Sequence, residues 1–429
     1  MEPVSDLLPL LRERLGEVTS PRLAGVRAAV LFTSAGRTTW TIDLDHGFAT
    51  PRYGRPNKPD LTVHAELPVL ADVIAGRRSG VSAFLAGELQ VRGNLTLALE
   101  LDGLFPPPVK HNRWFQRSST QGSSRPRSHR SDTTGVHVRT GTVEAMGAAT
   151  FYAEAGSKDA PPLVLIHGLA ATNVTMLPLI EAFAPTHHVL APDIPGHGGT
   201  PAISGRYDPQ FLGEWLRSFL AATCDQPTVL IGNSLGGRVA IEVALEHPEL
   251  VRAFVGLCPA VAIRRVRHFE PFVRLVRDEV ATVKLPMPRA MVMRGLRALF
   301  ASPSALPDPW FDAAADEFQR VWEQRGSRFA IFSAMRHLYL DPPFGAGGFW
   351  DRLPTLTAPA LFVWGAQDVL VPASSSAFVT EALPLAQSVV FENCGHVPQF
   401  ELPGRTRALI ESFLATATAS ASRAPARQR

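Results

Sequence analysis

The sequence predicts a predominantly parallel α/β domain preceded by a small α+β module, and three observations lead to that reading. From Ala149 onward, short apolar segments (Ala149–Ala155, Leu163–Ile166, Val189–Ala191, Thr228–Ile231) alternate with helical stretches, an order that covers both faces of a parallel sheet with helices. One of them, Thr228–Ile231, runs straight into Gly232-Asn233-Ser234-Leu235-Gly236-Gly237 and then a helical stretch, Arg238–Glu246. Upstream, strands grouped together are followed by helices, and a segment rich in Pro, Ser, Gly and Arg separates them from the rest.

With 429 residues the chain is long enough for two or three domains. In the first, residues 1–105, Val26–Ser34 and Thr38–Asp45 read as a strand pair around a short turn, and Asp60–Ala65 alternates as a third strand. Helical stretches at Leu67–Ala75 and Val81–Leu85 follow, then a strand at Glu88–Arg92 and an apolar helix at Leu95–Leu104. Residues 106–135 read as a linker, because no apolar period survives there. Its six basic residues against the single acid Asp132 give it the positive charge of the chain. A solvated spacer is the expectation, with peripheral contact to anionic lipid as the alternative. Residues 136–415 hold the α/β domain, opened by a strand at Val136–Thr140, and residues 416–429 read as a disordered tail. Between 261 and 353 lies a long insertion with helical stretches at Phe269–Val283 and Pro309–Gln324. The arginines at its front, Arg264, Arg265, Arg267, Arg274 and Arg277, read as a solvated face, or as a means of steering an anionic group.

Composition excludes several functions. Hydrophobic residues make up 45% and charged residues 19% of the chain, which is ordinary for globular domains. Since the linker accounts for more than the whole formal charge of +3, no basic face is expected on the folded domains and no nucleic acid is expected as a partner. Cys224, Cys258 and Cys394 are odd in number and unpaired in spacing, which suggests buried thiols rather than disulfides or a zinc site. No pair of histidines or carboxylates has metal-ligand spacing and no G-x-G-x-x-G opens a helix, so neither a metal nor a cofactor is expected. The N-terminal stretch mixes charges into its apolar run, and no later run reaches the ~18 residues of a spanning helix. A soluble, cytoplasmic protein is the expectation.

Three residues carry chemistry. Ser234 occupies the centre of a G-x-S-x-G turn between a strand and a helix, where flanking glycines let the two elements approach and leave the hydroxyl exposed. A serine hydroxyl is a poor nucleophile at neutral pH, so it needs a base and a group that orients the base. Both follow in the order acid, then histidine. Strand Ala360–Trp364 ends in Gly365-Ala366-Gln367-Asp368, and strand Ser388–Glu392 ends in Asn393-Cys394-Gly395-His396. Asp368 and His396 are thus the candidate orienting acid and base. His167 and His197 do not follow the strand on which a base is expected and read as structural, and Cys394 reads as a packed thiol.

These signatures, with "HG" at His167-Gly168, "DIPGHGGT", "GNSLGG", "GAQD" and "CGH", resemble the α/β-hydrolase superfamily over about residues 136–415. The resemblance implies a mostly parallel sheet, a helical cap at about 261–353 that sets substrate choice, and an oxyanion hole built from the backbone N–H groups of Leu169 and Leu235. The segment around Phe84, Gly87, Leu89, Val91, Gly93 and Asn94 resembles the sterol carrier protein lipid-binding domain, more weakly over about residues 20–105. That implies an apolar tunnel closed by the helix carrying Leu95, Leu97, Leu99, Leu101 and Leu104, unless these leucines simply fill a closed core. The expected function is a serine hydrolase cleaving an ester of a hydrophobic, acyl or steroid-like, small molecule or lipid. Two alternatives stand beside it. One is a carbon–carbon bond hydrolase of ring-cleavage products, although His167-Gly168-Leu169-Ala170-Ala171-Thr172 departs from the "HG-x-G-P-G" usual there. The other is a non-catalytic lipid carrier, against which the intact Ser, Asp and His argue. Thioester cleavage and cofactor-free peroxidase chemistry are open on the same scaffold.

Overall fold

The computed structural model describes residues 6–15, 23, 25–35, 38–105, 135–262, 270–278, 280, 283–284 and 286–423. The linker up to residue 134, Arg264, Arg265 and Arg267 therefore lie outside the described residues. The chain divides into two compact units.

Up to residue 105, helix α1 (Leu8–Leu15) precedes strands β1 (Arg27–Thr33), β2 (Thr39–Asp45), β3 (Phe48–Tyr53) and β4 (Leu61–Ala65), helices α2 (Leu67–Ile74) and α3 (Gly80–Leu85), strand β5 (Leu89–Gly93) and helix α4 (Leu95–Asp102), with residues 91–99 grouped in the second unit. The sheet order is β3-β2-β1-β4-β5. The expected strand pair is present, antiparallel, with Arg27 opposite Asp45 and Thr33 opposite Thr39. Strand β3, which sequence reasoning missed, pairs antiparallel with β2. Its Pro51 and alternation of exposed positions hide it, since proline is tolerated on an edge strand but lowers any strand reading. Leu95, Leu97, Leu99 and Leu101 are all buried.

The second unit is built on an eight-stranded sheet in the order β13-β12-β11-β10-β8-β9-β7-β6. Its elements run β6 (Arg139–Ala145), β7 (Ala148–Ala155), β8 (Pro162–Ile166), α5 (Leu177–Phe183), β9 (His188–Pro192), α6 (Pro209–Thr223), β10 (Thr228–Asn233), α7 (Leu235–Glu246) and β11 (Val251–Leu257). Helices α8 (Glu270–Leu275), α9 (Arg289–Ala298), α10 (Asp308–Glu323), α11 (Arg325–Leu340) and α12 (Phe349–Arg352) form the insertion. After it come β12 (Ala360–Gly365), α13 (Ser375–Ala382), β13 (Gln387–Phe391), α14 (Pro398–Glu401) and α15 (Pro403–Arg423). β8 pairs parallel with both β9 and β10, and the ladder stays parallel through β11, β12 and β13. β6 and β7 form an antiparallel edge.

Every residue of β8, β9, β10 and β12 is buried, as strands covered on both faces require. Large rings fill the space between sheet and helices. Trp215 and Trp364 are fully buried, and each places its indole N–H on a hydroxyl, Thr150 Oγ1 at 3.0 Å and Ser388 Oγ at 3.1 Å. Helix α6 starts where Asp208 accepts the Phe211 N–H at 2.9 Å and Pro209 supplies a first turn that needs no donor.

Three local expectations shift. Strand β6 starts at Arg139 rather than Val136 and runs to Ala145, because its register is set by pairing with β7. The helix expected over Phe269–Val283 is described as helical only over Glu270–Leu275, none of which is buried, so no apolar face holds a longer helix there. The tail expected from residue 416 begins inside α15, which continues to Arg423, and residues 424–429 lie outside the described residues.

Helix α7 lies so close to the sheet that a Cβ at Gly236 would sit 2.3 Å from the Ile166 carbonyl oxygen and 2.5 Å from that of His167. Gly236→Ala is expected to cost about 3 kcal/mol of stability, read as a lower urea midpoint with an unchanged slope.

Candidate active site

Ser234 joins β10 to α7 with φ 53° and ψ −116°, a backbone conformation that side chains rarely adopt. Three bonds hold it. Its N–H donates to Leu257 O (3.0 Å), while its carbonyl accepts from Ala260 (3.0 Å) and from Arg238 (3.1 Å). A Cβ on Gly232 would meet the Gly236 backbone at 2.4 Å, so the strand and helix can only converge here without side chains.

Asp368 and His396, 28 residues apart, meet at the ends of β12 and β13: His396 Nδ1–H donates to Asp368 Oδ2 at 2.7 Å. Both side chains are almost wholly buried. Burial alone would raise the Asp368 carboxyl, but the bond and charge of His396 and the N–H groups of Leu370 (2.8 Å) and Val371 (3.0 Å) hold it below its ordinary value. With its Nδ1–H committed to an acceptor-only carboxylate, His396 has Nε2 as the remaining ring nitrogen, the atom a candidate base would use. His396 and Ser234 line one cavity of about 450 Å³, together with Gly168, Leu169, Val292, Leu296, Leu299, Phe318 and Val321. Ser234 also lines a second cavity of about 480 Å³, walled by Val261, Ala262, Leu338, Trp350, Val371 and Phe378.

Leu235 is the first residue of α7, whose N–H has no acceptor within its helix. Leu169 follows Gly168 in a loop turned by Ala170 at φ 58°. Of the two candidate oxyanion donors, Leu235 directly follows Ser234 at the exit of β10, and Leu169, beyond the exit of β8, lines the same cavity as Ser234.

The two histidines read as structural are fully buried. His167 Nε2 accepts the Ile194 N–H at 2.9 Å, so its Nδ1 carries the proton and donates to Gly168 O at 2.8 Å. Burial, then the neighbouring His197, pull His167 down to about 3; burial pulls His197 down to about 4. His167 thus shapes the loop bearing Leu169 as a neutral ring. Cys394 is buried, with its thiol pushed up to about 12 by burial first and then by Glu401 and Asp368, which removes it as a nucleophile. Cys258, at φ 45° where β11 ends, is buried too, and its thiol lies beside the Asp368–His396 pair. Burial, then the Asp368 charge, raise it well above its ordinary value.

Sequence reasoning missed two residues that hold the site together. Asn233 Nδ2 donates to Leu257 O (2.9 Å) and to His396 O (3.0 Å), tying the elbow to the loop of His396. Arg238, fully buried, donates to Asp341 Oδ2 at 2.9 Å, pairs with Glu242, and lies 4.4 Å over the Phe349 ring. Asn233 lay inside the quoted elbow and Arg238 opened the helix after it, but neither partner is near in sequence.

The profile of the alpha/beta hydrolase fold family matches residues 161–403, and that of the SCP-2 sterol transfer family matches residues 10–106. The chain is 27% identical over 261 residues to the pimeloyl-[acyl-carrier protein] methyl ester esterase of Aeromonas hydrophila subsp. hydrophila, covering 59% of this chain and 95% of the relative. It is 26% identical over 267 residues to monoacylglycerol lipase ABHD6 of Rattus norvegicus, covering 60% and 76%. Among solved structures, a membrane phospholipase A described as a bacterial virulence factor matches with TM-score 0.55 and 28% identity, covering 66% of this chain and 87% of that one. No helix among the described residues is long and apolar enough to cross a membrane.

The low values of His167 and His197 fix a sign. An unfolded histidine takes up a proton near pH 6.5, which these two cannot do until about 3 and 4, so their contribution to stability is full above pH 6.5 and is lost as pH falls through the folded values. Asp193, raised to about 7 chiefly by burial, works in the opposite sense, so the informative quantity is a difference between variants. Relative to wild type, His197→Gln should gain about 2 kcal/mol of unfolding free energy between pH 7 and pH 5, measured by urea titration of this unit. With its buried serine turn, its in-order acid and histidine and more than half its length matching the profile, the chain belongs to the alpha/beta hydrolase fold family and carries an SCP-2 sterol transfer domain at its N-terminal end.

Proposed function

We propose that this protein is a serine ester hydrolase whose substrate has apolar groups on both sides of the ester. The observation that carries the reading is the position of Ser234, in a strained turn where two largely apolar cavities of about 450 and 480 Å³ both reach it. Each cavity falls within the size range of small-ligand pockets. On the wall of the first, the Glu317 carboxylate is matched by Arg320 (Nε to Oε2, 2.9 Å), so no unpaired charge opposes an acyl chain there.

In this reading Ser234 Oγ attacks the ester carbonyl while His396 Nε2 takes its proton. Asp368 keeps Nδ1–H in place and stabilises the imidazolium that forms. The developing oxyanion accepts from the N–H groups of Leu235 and Leu169, each worth ~3 kcal/mol in the transition state. His396 then protonates the departing alcohol, and a water activated by the same ring releases the acid. Support for ester chemistry comes from relatives that are a methyl ester esterase and a monoacylglycerol lipase. Support for a hydrophobic lipid substrate comes from the apolar cavities and from the SCP-2 match at residues 10–106. The N-terminal domain is then a carrier for the same class of lipid.

The test is hydrolysis of a p-nitrophenyl ester series from short to long acyl chains. Wild type should turn the series over, and Ser234→Ala should lose about 10⁴-fold or more in kcat. A wild type that is labelled at Ser234 by a fluorophosphonate yet cleaves no ester would overturn the ester assignment. The cavity assignment has its own readout at Gly295 in α9, which lines the first cavity and where an added Cβ meets nothing within 4 Å. Gly295→Leu should lower kcat/KM for long acyl chains by about tenfold or more and leave acetate esters unchanged.

A further inference from the structure

The loop carrying His396 is hydrogen-bonded to the cap rather than only to the sheet. His396 N–H donates to Leu299 O at 2.6 Å, where α9 ends. Glu401, on the one-turn helix after the base, accepts two backbone donors with its two oxygens: Gly395 N–H on Oε2 at 2.6 Å and Ser302 N–H on Oε1 at 3.0 Å. The first donor belongs to the base loop and the second to the cap, 99 residues away from Glu401. The fit leaves no slack, since a Cβ on Gly395 would lie 2.2 Å from Leu299 O and 2.9 Å from Phe300 Cα. Beside it, Trp310 of α10 meets Phe400 edge to face at 4.8 Å between ring centroids. The same helix α9 presents Val292, Gly295, Leu296 and Leu299 to the cavity that holds Ser234 and His396.

We propose that Glu401 is a positioning residue that clamps the base-bearing loop to the cap turn at 299–302, so that the cap holds the base in register with Ser234 as well as enclosing the substrate. The physical argument is one of acceptor count. Only a carboxylate offers an acceptor oxygen to each of the two N–H groups. A glutamine must turn its NH₂ toward one of them, and an alanine leaves both without an acceptor. Without Glu401 the loop keeps its bonds to Leu299 O, Gln367, Asn233 and Asp368, but Gly395 N–H and Ser302 N–H lose the acceptor that joins them, and a displacement of order 1 Å at a catalytic group is enough to cost about a hundredfold in rate.

The inference rests on His396 acting as the base, and the experiment separates the two. Full-length wild type, Glu401→Gln and Glu401→Ala are labelled to completion with a fluorophosphonate to count working sites, and kcat and KM are then measured on p-nitrophenyl octanoate. The expected result is a kcat per labelled site lower by about tenfold in Glu401→Gln and about a hundredfold in Glu401→Ala, with KM within about twofold of wild type. A purely structural role would lower the number of labelled sites and leave kcat per site intact, and that result overturns the clamp. If wild type cleaves no ester, the rate constant for Ser234 phosphonylation takes the place of kcat. It needs the base but no particular ester, and equal rates in all three proteins would likewise overturn the clamp, while slower labelling in the two variants upholds it.

Discussion

The strained turn at Ser234 is the constraint on which the rest of this site depends. A residue at φ 53° and ψ −116° costs of order 1–3 kcal/mol and persists only where its surroundings leave no alternative. Here they leave none. α7 approaches β8 and β10 so closely that Gly232 and Gly236 have no room for side chains, and the serine's own N–H and C=O are committed to Leu257, Ala260 and Arg238. Ser234 is thereby held where both cavities reach it, and Leu235 is left at the head of α7 with an N–H that the helix cannot use.

Around that turn, charge is placed by burial as much as by pairing. His167 is kept neutral chiefly by burial, and its acceptor role toward Ile194 fixes the loop carrying Leu169 without adding a charged ring to the site. Arg238, in the first turn of α7, does carry charge into the core, where Asp341 at the end of α11 and Glu242 meet it, and Arg352 reaches Glu242 at 2.5 Å. Such a cluster adds little net stability over an apolar filling, but removing one partner strands the others and costs about 3–5 kcal/mol. It therefore acts as a specific tie between elbow helix and insertion. Together with the bonds at Leu299 and Glu401, it gives the insertion two anchor points, one near Ser234 and one near His396.

Much of the core was legible in the sequence, and its gaps have physical causes. Strands β8, β9, β10 and β12 are buried on both faces and read as continuous apolar runs. β11 is buried at every position but Arg252 and was not picked out, because that arginine breaks the apolar run Val251–Leu257. Helices α9 and α11 were not picked out; part of their apolar residues face a cavity or solvent, with Met291 and Met335 at 62% and 50% exposure. The candidate catalytic residues stood out because each occupies a strand end followed by a tight turn, a pattern confined to a few consecutive positions.

That confinement marks what the sequence by itself determined: the elbow geometry, the order of Ser234, Asp368 and His396, the alternation that builds a parallel sheet, and the two family resemblances. The elbow, the order and the alternation follow from local rules of backbone sterics and side-chain period, which act over a few residues, and the resemblances rest on short motifs of the same reach. The tertiary structure alone decided which cavities meet at Ser234, that Asn233 reaches His396 across 163 residues of chain, and that Glu401 shares its two oxygens between the base loop and the cap. Those contacts depend on where distant backbone N–H and C=O groups come to rest, and backbone atoms are the same in every residue, so no residue pattern announces them.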